Sequence, residues 1–303
     1  MSLSVLILGY GSIGRRHAKI LKNKFNINNI TIFTKQKIAE FKTISSLQEI
    51  KKLNPNYIII CSSTSKHFRH LKFVEKNFKN KIVLIEKPIF DKYRKLKIKK
   101  NKVYVGYNLR FNPIINYIKK IIYKKKIFDV KIHCGSYLPN WRKNINYKKS
   151  SSAQKLLGGG VVLDLSHEID YARWLFGKIK VKFVKIGKLS NLDIDTEDFL
   201  KLYGNIGKAN LSVDLNYYSR ISKRFVSIDG TNFSIFADLI KYEIEIVKKN
   251  YFFNKKFYKS SRDNTYFQQH KAILNGKTEN LCDYNFALDT IKIIDKIKKW
   301  KKN

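Results

Sequence analysis

Residues 5–14 read VLILGYGSIG, an apolar tetrapeptide that stops on a glycine and is followed by two more at fixed spacing. Gly9, Gly11 and Gly14 form G-x-G-x-x-G, and a helical pattern runs on from Ile13 to Leu21. A short apolar run closed by glycine reads as a buried strand. The glycines then permit a tight turn, close backbone approach to a pyrophosphate, and close packing of helix on strand. The helix N-terminus adds unpaired N–H groups and a favourable dipole for phosphate. Strand, turn and helix in this order predict a dinucleotide site built by Gly9, Gly11, Ser12, Ile13 and Gly14.

Working outward, strand and helix signals alternate over the first hundred residues. Ile30–Phe33, Tyr57–Cys61, Ile82–Ile85 and Val103–Tyr107 are short, apolar and β-branched. Between them, Ser46 and Glu49 form a capping box and Phe68–Phe78 has helical periodicity. Such alternation predicts an α/β Rossmann-type domain with a parallel, doubly wound sheet. At the end of the second strand the chain reads Phe33-Thr34-Lys35-Gln36, without a carboxylate. A hydroxyl and a cation suit the 2′-phosphate of NADP(H) better than the bare ribose of NAD(H), and both cofactors stay open.

Beyond Pro113 the texture changes. One helix, Ile114–Tyr123, precedes strand signals at Phe128–Tyr137, Lys180–Ile186, Phe199–Tyr203, Ala209–Tyr217, Phe225–Ile228 and Phe233–Ala237. Turn signals at Gly204-Asn205, Gly207 and Asp229-Gly230 predict antiparallel hairpins. The expected division is a dinucleotide-binding domain over 1–110 and an α+β domain with an open, mostly antiparallel sheet over 111–303. The last helix, 284–300, is placed to return to the first domain.

The formal charge is +39, yet only ten of the 62 basic residues are Arg, the side chain that reads bases and clamps phosphate in two-pronged fashion. The lysines spread along the whole chain. This pattern predicts a solvated basic surface that attracts anionic small molecules, with no specific nucleic-acid partner. No apolar run approaches the roughly 18 residues that span a bilayer, and Met1 leads into a strand without a basic leader region. No membrane association and a cytoplasmic location are expected. Cys61, Cys134 and Cys282 are too scattered for a disulfide framework or a metal site.

A second glycine cluster, Gly158-Gly159-Gly160, leads into VVLDLSHEIDYARWLF. Read as one helix, it presents Asp164, His167 and Asp170 at three-residue intervals on one side. Imidazole titrates near neutrality, so His167 is a candidate general acid/base.

Together with the glycine loop, four further segments resemble the glucose-fructose oxidoreductase / inositol dehydrogenase (Gfo/Idh/MocA) family. Cys61–His67, CSSTSKH, is similar to that family's T-P-N-x-x-H loop, with Ser62 and Ser63 in place of Thr-Pro. Glu86-Lys87-Pro88 matches its E-K-P signature. Gly106–Pro113 resembles its G-x-x-x-R-F-x-P segment, and Gly158–Phe176 its G-G-G…D…H-x-x-D…W-L-F segment. The resemblance implies a nicotinamide cofactor touched by Ser62, Ser63, His67, Glu86 and Lys87. It also implies a hydride exchanged with a secondary alcohol or ketone of a sugar or nucleotide-sugar substrate, and assembly as a homodimer or homotetramer. Lys87 would assist proton transfer, with a cis peptide before Pro88, and His167 would act as acid/base with Asp164 in support. Arg110, Trp141, Arg142, Asp170 and Tyr266 are further substrate candidates. The family spaces its aspartate and histidine as D-x-x-x-H, whereas Asp164 and His167 are one residue closer. Counting from Asp164 selects Glu168 instead. The irregularity also leaves open a catalytically silent, dinucleotide-binding sensor on the same fold.

Overall fold

The computed structural model describes residues 3–142, 145–249, 251–257 and 261–300. The chain separates into two compact units, Met1–Asn108 with Ser261–Ile291 and Leu109–Ser260 with Lys292–Asn303. The first unit is therefore discontinuous; the sequence reading assigns 111–303 to the second domain, with helix 284–300 placed to return to the first.

In the first unit, β1 (Val5–Leu8), α1 (Ser12–Phe25), β2 (Ile30–Phe33), β3 (Lys42–Ile44), α2 (Leu47–Lys51), β4 (Tyr57–Ile60), α3 (Thr64–Asn77), β5 (Ile82–Ile85) and β6 (Lys102–Val105) follow one another. β1 and β4 are buried along their whole length, as expected of central strands covered on both faces. Val5 pairs with Ile30 on one side and with Tyr57 on the other, both in parallel register. The Ser46–Glu49 capping box is present, with each partner bonding the other's main-chain N–H.

The second unit takes up the chain with α4 (Pro113–Ile121), β7 (Ile127–Gly135), α5 (Val161–Asp164), α6 (His167–Phe176), β8 (Ile179–Gly187), β9 (Phe199–Ile206), β10 (Ala209–Asn216), β11 (Lys223–Gly230), β12 (Phe233–Asp238), β13 (Glu243–Lys248) and β14 (Tyr251–Lys256). Its eight strands run in the order β14-β13-β12-β11-β7-β10-β9-β8, antiparallel except for β7 beside β10. Ile114, Ile115 and Ile118 give α4 a fully buried face, each contributing about 2 kcal/mol by burial. The open, mostly antiparallel sheet expected from sequence is thus present.

The remaining elements are α7 (Arg262–Leu274), β15 (Cys282–Asp283) and α8 (Tyr284–Lys298). β15 adds to the first sheet antiparallel to β6, giving the order β15-β6-β5-β4-β1-β2-β3, with every other pairing parallel.

Three local expectations are corrected. Gly204 and Asn205 lie inside β9, where absence of a side chain lets the Lys180 carbonyl approach, and the reversal falls at Gly207 instead. Asp229 and Gly230 end β11, and Asn232, with a φ of 63°, makes the turn. The segment expected as one glycine-led helix is two helices, broken at Leu165 and Ser166.

Candidate active site

The glycine loop shows two kinds of glycine. A Cβ on Gly14 would collide with the Gly9 carbonyl, so this position serves the packing of α1 on β1. A Cβ on Gly11 would meet nothing within 4 Å. Gly11 is also the N-cap of α1, no side chain caps it, and no acidic residue lies in the first turn. The end of this 14-residue helix thus keeps its N–H groups and its dipole for something outside the protein. The pyrophosphate of a dinucleotide fits that description. Ser12 is exposed and Ile13 half-buried beside it.

At the end of β2, the Thr34 hydroxyl accepts the Gln36 N–H at 3.1 Å and Lys35 is exposed. The loop after β4 is braced from behind. The Ser62 hydroxyl is hydrogen-bonded to His70 Nδ1 at 2.9 Å, while His67 lies between the Ser62 and Pro88 carbonyls at 3.0 and 3.1 Å. Burial outweighs those carbonyls and holds the His67 ring below its ordinary pKa. A neutral ring has one N–H, so it serves one carbonyl at a time. His67, a cofactor contact expected from sequence, is 1% exposed and braces the loop through these carbonyls. Ser63 is the half-buried N-cap of α3. Glu86 is buried too. One carboxylate oxygen faces His17 at 3.0 Å and the other accepts the Lys87 N–H at 3.2 Å. Lys87 is half-buried and precedes a cis peptide to Pro88, as expected.

In the second unit the break between α5 and α6 redistributes the three polar residues. Asp164, half-buried, accepts the Tyr217 hydroxyl at 2.6 Å. Burial, then Asp164, pushes the Tyr217 phenol well above its ordinary pKa, so it remains a donor. His167, half-buried, is the first residue of α6. Glu168 is fully buried, with Oε1 at 2.7 Å from Arg224. Asp170 and Arg110 form a two-pronged pair, Nε to Oδ2 and Nη2 to Oδ1 at 2.8 Å each, with side chains 1% and 2% exposed. The continuous helix inferred from three-residue spacing is interrupted at Leu165 and Ser166, and Asp164 and Asp170 pair with different residues, Tyr217 and Arg110. The sequence reading placed Arg110 and Asp170 against substrate; the structure spends their charges on each other in the core. Trp141 sets its ring edge-on to Tyr217, with centroids 5.2 Å apart, and donates to Ser136. Arg142 is exposed.

Residues 3–103 match the family model for "oxidoreductase family, NAD-binding Rossmann fold", and residues 121–299 match that family's C-terminal alpha/beta domain. The chain belongs to the Gfo/Idh/MocA oxidoreductase family. Among solved structures, levoglucosan dehydrogenase in complex with NADH superposes with a TM-score of 0.84 at 17% identity, over 99% of this chain and 96% of that one. The WlbA dehydrogenase from Bordetella pertussis, in complex with NADH and UDP-GlcNAcA, gives 0.77 at 17% identity over 99% and 96%. UDP-N-acetylglucosamine 3-dehydrogenase GnnA from Acidithiobacillus ferrooxidans gives 0.75 at 14% identity over 98% and 97%. At such identities the likeness establishes the fold. No curated protein sequence matches the chain significantly.

As a Gfo/Idh/MocA member the chain is an NAD-binding oxidoreductase. No helix among the described residues is long and apolar enough to cross a membrane, and no cluster of metal-ligating side chains occurs among them. Sequence reasoning missed Tyr217, Arg224 and Glu197. The Glu197 carboxylate fills the space beside Gly160, and burial raises its pKa despite Lys298 at 3.6 Å. None of the three has a local signal, since each lies more than 30 residues from its partner. Tyr266, a substrate candidate from sequence, is buried in the first unit with its ring edge-on to His17, centroids 5.4 Å apart.

Proposed function

We propose that the chain moves a hydride between a nicotinamide cofactor and a secondary alcohol or ketone of a sugar or nucleotide sugar. The observation that carries this reading is the uncapped N-terminus of α1 with open room at Gly11. Among structures of the same fold, three are complexes with NADH, one of them also with L-sorbose and another with UDP-GlcNAcA. Gly9, Gly11, Ser12, Ile13 and Gly14 would hold the pyrophosphate, with Ser62, Ser63, Glu86 and Lys87 nearer the nicotinamide. Bound there, the cofactor supplies or accepts the hydride.

The chain's own residues manage the proton. The Lys87 ammonium donates a hydrogen bond to the reacting oxygen and stabilises negative charge that develops on it. His167 takes the hydroxyl proton in oxidation and returns it in reduction. Glu168 is buried against Arg224, which supports His167 over Glu168 for this task. Asp164, fixed by Tyr217, supports the acid/base helix. Arg142 and Trp141 remain candidates for substrate contact. Thr34 and exposed Lys35, with no carboxylate beside them, favour NADP(H) over NAD(H).

The reading extends to a cytoplasmic homodimer or homotetramer, without nucleic-acid or membrane partners. It draws on the three buried free cysteines and on a second-unit sheet face that exposes Phe183, Tyr203, Phe236 and Phe252. Sedimentation as a monomer would remove the oligomer from it.

Fluorescence titration with NADH and NADPH, then turnover across sugars and nucleotide sugars, tests the whole. Lys87→Ala and His167→Ala are each expected to lower turnover by about 100-fold or more with cofactor still bound. Wild-type turnover in both variants would sink the assignment.

A further inference from the structure

Beneath the glycine loop, a line of four polar side chains crosses the core of the first unit. The Tyr57 hydroxyl is 3.0 Å from His270 Nδ1, His270 Nε2 is 2.8 Å from His17 Nδ1, and His17 Nε2 is 3.0 Å from Glu86 Oε1. Tyr57, His17 and His270 are 0% exposed and Glu86 is 6% exposed. They come from β4, α7, α1 and the end of β5, so four separate elements converge on one hydrogen-bonded file.

The file has a direction. Among the described residues, the Tyr57 hydroxyl has His270 Nδ1 as its one hydrogen-bond partner, so the phenol donates and Nδ1 accepts. Burial, with His17 beside it, holds the His270 ring well below its ordinary pKa, which leaves one ring proton, on Nε2. That proton points at His17 Nδ1, so the His17 proton sits on Nε2 and points at the carboxylate. A carboxylate only accepts, and all three bonds run from Tyr57 toward Glu86.

The far end is closed. Tyr57 is fully buried, so no proton enters the file from that end, and what the file can hold lies at its other end. There, Glu86 Oε2 accepts the Lys87 N–H, and Glu86 Oε1 lies 2.6 Å from where a Cβ on Gly106 would stand. Edge-on ring contacts from Tyr266 to His17 and from Tyr57 to His270 fix both imidazole planes.

We propose that Tyr57, His270 and His17 are positioning residues for Lys87, a one-way relay that sets the Glu86 carboxylate and thereby the backbone from which the Lys87 side chain departs. This rests on the reading of Lys87 as the proton-handling cation, but the relay can be observed without turnover.

Two measurements on the full chain test it. In ¹⁵N NMR of labelled histidine, both rings should carry their proton on Nε2. Tyr57→Phe and His270→Phe should shift the Lys87 amide resonance. His270→Gln, whose side-chain N–H still reaches toward His17, should shift it less than His270→Phe. In single-turnover hydride transfer at saturating cofactor, the rate should fall about 10-fold in His270→Phe and about 3-fold in Tyr57→Phe, and recover in His270→Gln. Cofactor dissociation constants should stay within about 2-fold of wild type, since positioning of Lys87 acts on the reacting oxygen. Tyr57→Phe keeps the ring volume and carries both readouts even if His270→Phe does not fold. An Nδ1 proton on either ring, or a Lys87 amide unmoved in every folded variant, overturns the relay. A moved amide with an unchanged transfer rate overturns the positioning role. Failure of the wild type to transfer hydride to any substrate counts against the proposed function instead, and the NMR result still decides the relay.

Discussion

Two helices in this chain begin at a glycine cluster, and they use it in opposite ways. At α1 the room around Gly11 is open and the helix end has no side-chain cap. At α5 the room is taken. A Cβ on Gly159 would strike the Ser151 carbonyl and one on Gly160 the Glu197 carboxylate, while Val161 donates to the Glu197 carbonyl at 3.1 Å. The protein supplies its own anion to the second helix end and none to the first. A run of glycines before a helix is therefore no sign of a phosphate site until the space beside it is known. In the second unit the glycines let chain segments touch; in the first, Gly9 and Gly14 do the same and Gly11 alone of the three has open room beside it.

The first way to break this contrast is to attack what anchors α6, just beyond the filled cluster. Asp170→Ala leaves the Arg110 guanidinium buried without its carboxylate, 2% exposed. The expected loss is about 3–5 kcal/mol, read as a lower urea midpoint. A loss below about 1 kcal/mol would mean that the pair does not hold the helix. The next test exchanges glycines. Gly159→Ala should cost about 3 kcal/mol, because the clash is with backbone that cannot swing aside. Gly11→Ala should leave stability within about 0.5 kcal/mol and weaken NADH binding about 10-fold, because the methyl enters only the open space. Equal effects on stability would erase the contrast.

The smallest effect concerns the loop beside Gly9. Burial, with His67, Arg69 and Lys66 adding to it, holds the His70 ring down to about 4. A histidine with its folded pKa below 6.5 is neutral in the native state. Its contribution is complete above pH 6.5 and is lost as pH falls from 6.5 toward 4. Protonation makes Nδ1 the donor in its hydrogen bond with the Ser62 hydroxyl. Between pH 7.5 and 5, wild type should lose about 1 kcal/mol more than His70→Gln in urea unfolding. Parallel losses would show that His70 does not titrate in this way.

The contrast also shows what can be read before a structure exists. VLILGYGSIG carries its information within ten residues, and strand, turn and helix appear where that stretch places them. Ser46 and Glu49 are as local and as legible. His17 is half-legible, since it lies three residues past Gly14 and so shares its buried face of α1. Its partner His270 is 253 residues away, and no spacing rule reaches it. The same holds for the second unit. Asp164, His167 and Asp170 have helical spacing, but the break at Leu165 and Ser166 gives each a different partner or setting. Tyr217 and Arg110 come from other parts of the chain to meet Asp164 and Asp170. β14 escaped notice because Tyr251–Lys256, YFFNKK, has no alternation of polar and apolar residues, and β13 alternates Glu with Ile over only four residues.

The discontinuity of the first unit has a consequence for how the protein is made. A ribosome releases its product from the amino end at about 5–20 residues per second. Residues through Val105 emerge early, but α7 and β15 follow all eight strands of the second sheet in the sequence. Until they emerge, β6 has no neighbour on its outer side and His17 has no imidazole to meet. The nascent chain thus carries a bare sheet edge throughout synthesis of the second unit. That edge is covered only when Cys282 and Asp283, late in the chain, pair with Val105 and Tyr104.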